Sequence, residues 1–133
     1  VNEILLGINN YFESQPDLTR EFPGGIWLVT VPNTVEREYP YVVVNATDTP
    51  FYTFTEELAE FRISFFIHSN DPNGHRMIVL RDLLSDNYDE NLFEVDGWSV
   101  KMFRREQSQE IQELEDDWVT TLQYRCVAEE CEV

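Results

Sequence analysis

The chain has 133 residues, of which 42% are hydrophobic and 14% aromatic; that is enough for one domain burying roughly two-thirds of its unfolded surface, and it excludes a disordered polymer. Twenty-six acids stand against nine bases, for a formal net charge of −17 and a pI near 4.2. This balance excludes ordinary binding to a phosphate backbone, which needs a basic footprint, and an anionic membrane surface as partner.

In chain order, "VNEILLGINNYFES" (1–14) sets Ile4, Leu5, Ile8, Tyr11 and Phe12 at helical spacing, which predicts an amphipathic helix ending before Pro16. A polar stretch and the turn "FPGG" follow. "IWLVTV" (26–31) reads as a strand, and Pro32, Asn33 and Thr34 turn the chain. The next strand covers about residues 39–46. Its Val42, Val43 and Val44 favour a strand strongly, but the run is unbroken rather than alternating. That predicts cover on both faces. "TDTPFYTF" (47–54) reads as a loop or a short extended piece.

The most regular alternation spans 58–68. Phe61, Ile63, Phe65 and Ile67 fall on one face, and Glu60, Arg62, Ser64 and His68 on the other, with Phe66 the exception. Asp71 then offers a helix N-cap, with Pro72 at the first helical position. The helix that follows carries a stripe of Met77, Leu80 and Leu84. Ile78, Val79 and Leu83 widen it past the arc that one sheet needs. Trp98, Val100 and Met102 alternate against Lys101, Phe103 and Arg105. Trp118, Thr120, Leu122, Tyr124 and Cys126 alternate against Thr121, Gln123 and Arg125. These two runs read as a hairpin around the acidic connection "EQSQEIQELEDD" (106–117), which is longer than most hairpin loops. The whole is a single α+β domain over residues 1–133: a mixed or antiparallel sheet packed by two main helices, with a long C-terminal β-hairpin.

Catalytic and metal chemistry find little support. His68 and His75 flank a turn with Asp71 between them, but a metal needs further ligands at suitable spacing. "SDNYDEN" (85–91) lacks the central glycine and the twelfth-position glutamate of a calcium loop; it reads as a solvated helix end. No serine or cysteine sits in a nucleophile motif. Asp116 and Asp117 are adjacent, so on a strand they point to opposite faces. Gly24 and Gly25 are too few to cradle a phosphate. No enzyme, cofactor or metal is expected. Cys126 and Cys131 match no redox or metal motif and are expected to be free thiols in a reducing cytoplasm. Asn45-Ala46-Thr47 formally matches a glycosylation acceptor, at a strand end in a chain with no secretion pattern. No apolar run approaches the roughly 20 residues of a membrane-spanning helix. The sequence opens on Val1 rather than methionine, which leaves room for residues ahead of it.

Several patterns taken together resemble a known family. They are an N-terminal helix, the early strand "IWLVTVP", the "YPYVVV" strand, and "FRISFFIHS" leading into the helix "HRMIVLRDLL". The closing hairpin completes the set, with Arg105 and Glu106 ending its first strand and Trp118 opening its second. In this order the chain resembles the tail terminator proteins of tailed bacteriophages, within the broad group of minor tail and head-to-tail joining proteins. The resemblance implies a structural virion protein without catalysis, assembled in the bacterial host cytoplasm. Such proteins form a ring, commonly a hexamer, at the head-proximal end of the tail tube. The ring ends tube polymerisation and joins the tail to the neck or head.

On that reading the partners are further copies of this chain, the tail tube protein, a neck or head-completion protein and, in contractile tails, the sheath. DNA passes through without being specifically bound. Subunit or tube contacts are expected at Tyr41, Val43, Ile78, Val79 and Leu83, and at Ile111 and Leu114 of the hairpin loop. Glu110, Glu113, Glu115, Asp116 and Asp117 are expected to line the channel, where carboxylates repel phosphates. The alternative from another class is an acidic inhibitor or DNA mimic that presents carboxylates to a nucleic-acid enzyme.

Overall fold

The apolar spacing near the N-terminus folds as helix α1 (Asn2–Ser14), and a short helix α2 (Pro16–Glu21) follows at once. The computed structural model describes residues 2–29, 31, 38–48, 58–72, 74–108, 112–113 and 118–130. In sequence, α2 reads only as a polar stretch. Pro16 sits at its first turn, where a missing N–H costs nothing, and Leu18 is its buried anchor.

Strands β1 (Ile26–Leu28), β2 (Tyr41–Asp48) and β3 (Leu58–Ser69) precede helix α3 (Gly74–Tyr88). Strands β4 (Trp98–Ser108), β5 (Gln112–Glu113) and β6 (Trp118–Glu130) follow it. They form one six-stranded sheet in the order β1-β2-β3-β6-β4, with β5 paired to β6. Only β1 and β2 run parallel; the other pairs are antiparallel. The mixed α+β architecture and the antiparallel pairing of the last two long strands follow the sequence reading.

All three helices lie on one face of the sheet. Ile4, Ile8, Phe12, Leu18 and Phe22 meet Met77, Leu80, Leu84 and Tyr88 over Val42, Val44, Phe61, Ile63, Phe65, Ile67, Leu122, Tyr124 and Cys126. The valine run therefore splits. Val42 and Val44 face the helices and are fully buried, whereas Val43 points to the opposite face and is half-buried. Among the described residues no helix covers that second face.

Four sequence expectations need correction. The strand at 26–31 stops at Leu28, because Val29 adopts φ 72°, a region that a β-branched residue enters only under strain. Helix α3 begins at Gly74, two residues beyond Pro72, the expected first helical position; the Asp71 N–H donates to Ser69 Oγ. The reading of β4 as plain alternation also fails. Val100 pairs with Ala128 and Met102 with Val127, so Lys101 is an extra residue. A β-bulge of this kind shifts the side chains that follow it to the other face, here up to a second irregularity between Arg105 and Gln107. Val100 and Phe103 consequently share the core, and Met102 faces away. Finally, the hairpin connection is shorter than 106–117, because β4 runs to Ser108 and Gln112 and Glu113 pair with Val119 and Trp118.

Gly24 lies where the chain crosses itself between α2 and β1. A Cβ there would stand 2.0 Å from the Glu38 carbonyl oxygen and 2.7 Å from Tyr41 Cβ, so only glycine fits.

Candidate assembly surfaces

Two of the predicted contact residues lie on the helix-free face. Tyr41 and Val43 pair with His68 and Phe66 of β3. They border a shallow hollow of about 230 Å³ that Val29, Val31 and Asn45 complete. Tyr41 is already 2% exposed within the subunit. Its ring stacks on His68 at 4.7 Å and tilts against Tyr39 at 5.3 Å. The accessible part of this site is therefore Val43, together with Val29, which is 58% exposed and which the sequence reading did not single out.

Three more lie on α3, on the other side of the sheet. Ile78 and Val79 are exposed on its outer surface. Leu83 is half-buried and packs against the core cluster, so it serves the fold as well as any contact. The expected residues thus form two separate patches with the sheet between them. Glu113 is placed in β5, opposite Trp118. Glu110, Ile111, Leu114, Glu115, Asp116 and Asp117 lie outside the described residues.

The helix-free face also carries a feature that the sequence reading missed. Arg62 of β3 pairs with Arg125 of β6, and Arg125 pairs with Arg104 of β4. Three arginines therefore stand side by side across three strands. The local signal was present, since each follows or precedes a core residue: Phe61, Tyr124 and Phe103. Alternation places Arg62 and Arg125 on the outer face, but Arg104 reaches it only through the bulge at Lys101, and only the long-range register brings the three into one row.

Elsewhere a few charged side chains pair with each other. Glu21 accepts from Arg76 at 2.5 Å and from Arg20 at 3.3 Å, and these hydrogen bonds hold its carboxyl below the usual range. Asp89 accepts from the Tyr124 hydroxyl at 2.6 Å and lies 3.6 Å from Arg105. Among the described residues no three of His, Cys, Asp and Glu stand close enough to hold a metal ion, and no helix is long and apolar enough to cross a membrane.

Cys126 is fully buried, and burial pushes its thiol up to about 12. Since the thiolate is the reactive form, Cys126 should resist iodoacetamide at pH 8 in the folded chain. It should label fully in denaturant. Peptide mass mapping tests this, and rapid native labelling at Cys126 would contradict the burial.

No family model and no curated protein matches the chain. Solved structures do. A chain in the virion of a native gene transfer agent particle superposes with a TM-score of 0.73 over 90% of this chain and 90% of that one, at 10% identity. A second solved chain superposes with a TM-score of 0.64 over 96% of both, also at 10% identity. Likeness at that identity establishes a shared fold.

Proposed function

We propose that this chain is a structural protein of a phage-type virion. It forms a ring, hexameric as in the family it resembles, at the head-proximal end of a tail tube. There it ends tube polymerisation and joins tail to neck or head. The observation that carries this reading is the fold it shares, over nine-tenths of both chains, with a component of a gene transfer agent virion.

The distribution of apolar surface supports a ring in particular. A two-fold dimer uses one patch twice, whereas a ring needs two different patches that meet head to tail. Val29 and Val43 on one side of the sheet, and Ile78 and Val79 on the other, supply such a pair. Ile111 and Leu114 of the hairpin loop add a contact to a neighbour or to the tube. The acids beside them, Glu110, Glu113, Glu115, Asp116 and Asp117, face the channel. Repulsion there keeps DNA mobile over roughly 8–10 Å at physiological salt. An arginine row on the helix-free face is the reverse of what a phosphate mimic would display, which counts against the inhibitor reading.

Imaging native particles with a label on this chain tests the position; scattered single copies would sink the ring. Two variants test the contacts. Ile78→Ser with Val79→Ser should leave the monomer within about 0.5 kcal/mol of the parent, as exposed substitutions do, yet weaken ring formation about tenfold or more. Ile111→Ser with Leu114→Ser should weaken ring or tube attachment likewise. Unchanged assembly in both would remove these patches from the interface.

A further inference from the structure

Of nine basic residues in the chain, three occupy the single row Arg62, Arg125 and Arg104. Adjacent strands lie about 4.8 Å apart, so the row spans roughly 10 Å. Like charges directly opposed across strands destabilise a sheet, so the row needs counter-charge. Arg125 is held by the buried carboxylate of Glu60. The Arg104 Nε donates to Glu90 at 3.0 Å around the sheet edge, in a pair more than 60% exposed on both sides. Arg62 is exposed and makes no salt bridge among the described residues. With Arg105, Met102, Glu60 and Glu106 the row lines a hollow of about 380 Å³. Four arginines and two glutamates line it; Arg105 also has Asp89 at 3.6 Å and Arg104 has Glu90, so Arg62 is the one arginine of the hollow without an ion pair among the described residues.

The geometry points to this row as the docking site for the acidic stretch 113–117 of a second copy of the chain. That stretch, "ELEDD", holds Glu113, Glu115, Asp116 and Asp117, four carboxylates in five positions. Within one copy the row lies far along the sheet from β5 and Trp118. Glu113 is held opposite Trp118, and Asp117 adjoins Trp118 in sequence. Trp118 and Arg125 are seven positions apart on one extended strand, or roughly 23 Å. The contact therefore joins different patches of successive copies, which gives a heterologous, ring-closing geometry. It also relieves the repulsion that copies of charge −17 otherwise exert on one another. The inference rests on the ring reading and names its contact; it gives Glu113, Glu115, Asp116 and Asp117 to that contact in place of the channel, and leaves Glu110 of the five acids to line the channel.

Charge reversal tests it on the full chain. Arg62→Glu with Arg104→Glu should raise the concentration for half-assembly about tenfold or more, read by native mass spectrometry, while the thermal midpoint of the monomer holds. Glu113→Lys, Glu115→Lys and Asp117→Lys together should do the same, and mixing the two variant chains should recover assembly across one interface. A synthetic peptide of residues 109–118, followed by fluorescence polarisation, should bind the parent and lose that binding with the arginine reversals. Rings unaffected by either reversal would overturn this contact and leave the ring reading standing. A chain that never assembles, but binds the peptide through these arginines, would overturn the ring reading and keep the contact. Peptide binding indifferent to the arginine reversals would remove the row as its site.

Discussion

Tyr88→Ala should cost about 3–5 kcal/mol of folding stability, the range for deleting a buried aromatic ring. Tyr88 ends α3 with no exposed surface. Its ring lies 4.9 Å from Phe65, 5.2 Å from Tyr11, 6.1 Å from Phe103 and 6.5 Å from Phe93, centroid to centroid. Its hydroxyl donates to the Ile8 carbonyl oxygen at 2.8 Å, so one side chain fastens α3 to α1 and to the sheet. Domains of this kind have about 5–15 kcal/mol in all, which makes this loss severe. Tyr88→Phe keeps the ring and should cost only about 1–2 kcal/mol. Urea unfolding of both variants checks the pair of values. An alanine variant within 1 kcal/mol of the parent would mean that the ring is not packed as described.

The same burial has a pH signature. Burial raises the phenol of Tyr88 above 10.0, and burial with the Asp89 hydrogen bond raises that of Tyr124. In the unfolded chain both ionise near pH 10. Above that pH the unfolded state binds fewer protons, so stability falls as pH rises, by up to about 1.4 kcal/mol per pH unit for each tyrosine.

Arg125→Ala should cost about 2–3 kcal/mol. Glu60 is only 6% exposed, and Arg125 is its ion-pair partner. Breaking a buried pair by removing one member costs about 3–5 kcal/mol; the arginine side is 37% exposed, so solvent screening reduces the figure. Among the described residues the second carboxylate oxygen of Glu60 has no hydrogen-bond partner, so removing the arginine leaves the whole carboxylate under-satisfied. Replacing both residues with leucine should recover most of the loss, since an apolar pair leaves no stranded charge. Equal stability of Arg125→Ala and the double variant, by thermal or urea unfolding, would show that the pair contributes little.

The sequence made the main elements legible because their periods are local. The spacing of Ile4, Leu5, Ile8 and Phe12, and of Met77, Leu80 and Leu84, set the buried faces of α1 and α3. Alternation from Phe61 to Ile67 and from Thr120 to Cys126 set those of β3 and β6. What stayed hidden depends on contacts far apart in the chain. Lys101 became a bulge because β4 had to match β6 at both Val100 and Phe103, which no local pattern announces. Val29 took a left-handed conformation at a strand end. The burial of Tyr88 was invisible because its partners, Ile8, Phe65 and Phe103, come from three other elements. For the assembly surfaces, composition could find apolar excess but not its division between the two sides of the sheet.

The position of β6 has a consequence for how the subunit comes into being. This strand lies between β3 and β4 although both precede it in sequence. Without Trp118–Glu130, β3 and β4 would be left with a vacant slot between them, and each would present unpaired N–H and C=O groups. Helix α3 can shield the apolar side but cannot supply those bonds. Only when Trp118–Glu130 enters the slot does the sheet become continuous from β1 to β4. Translation therefore has to pass the last strand before a competent subunit exists, and partly made chains are kept out of any assembly built from finished ones.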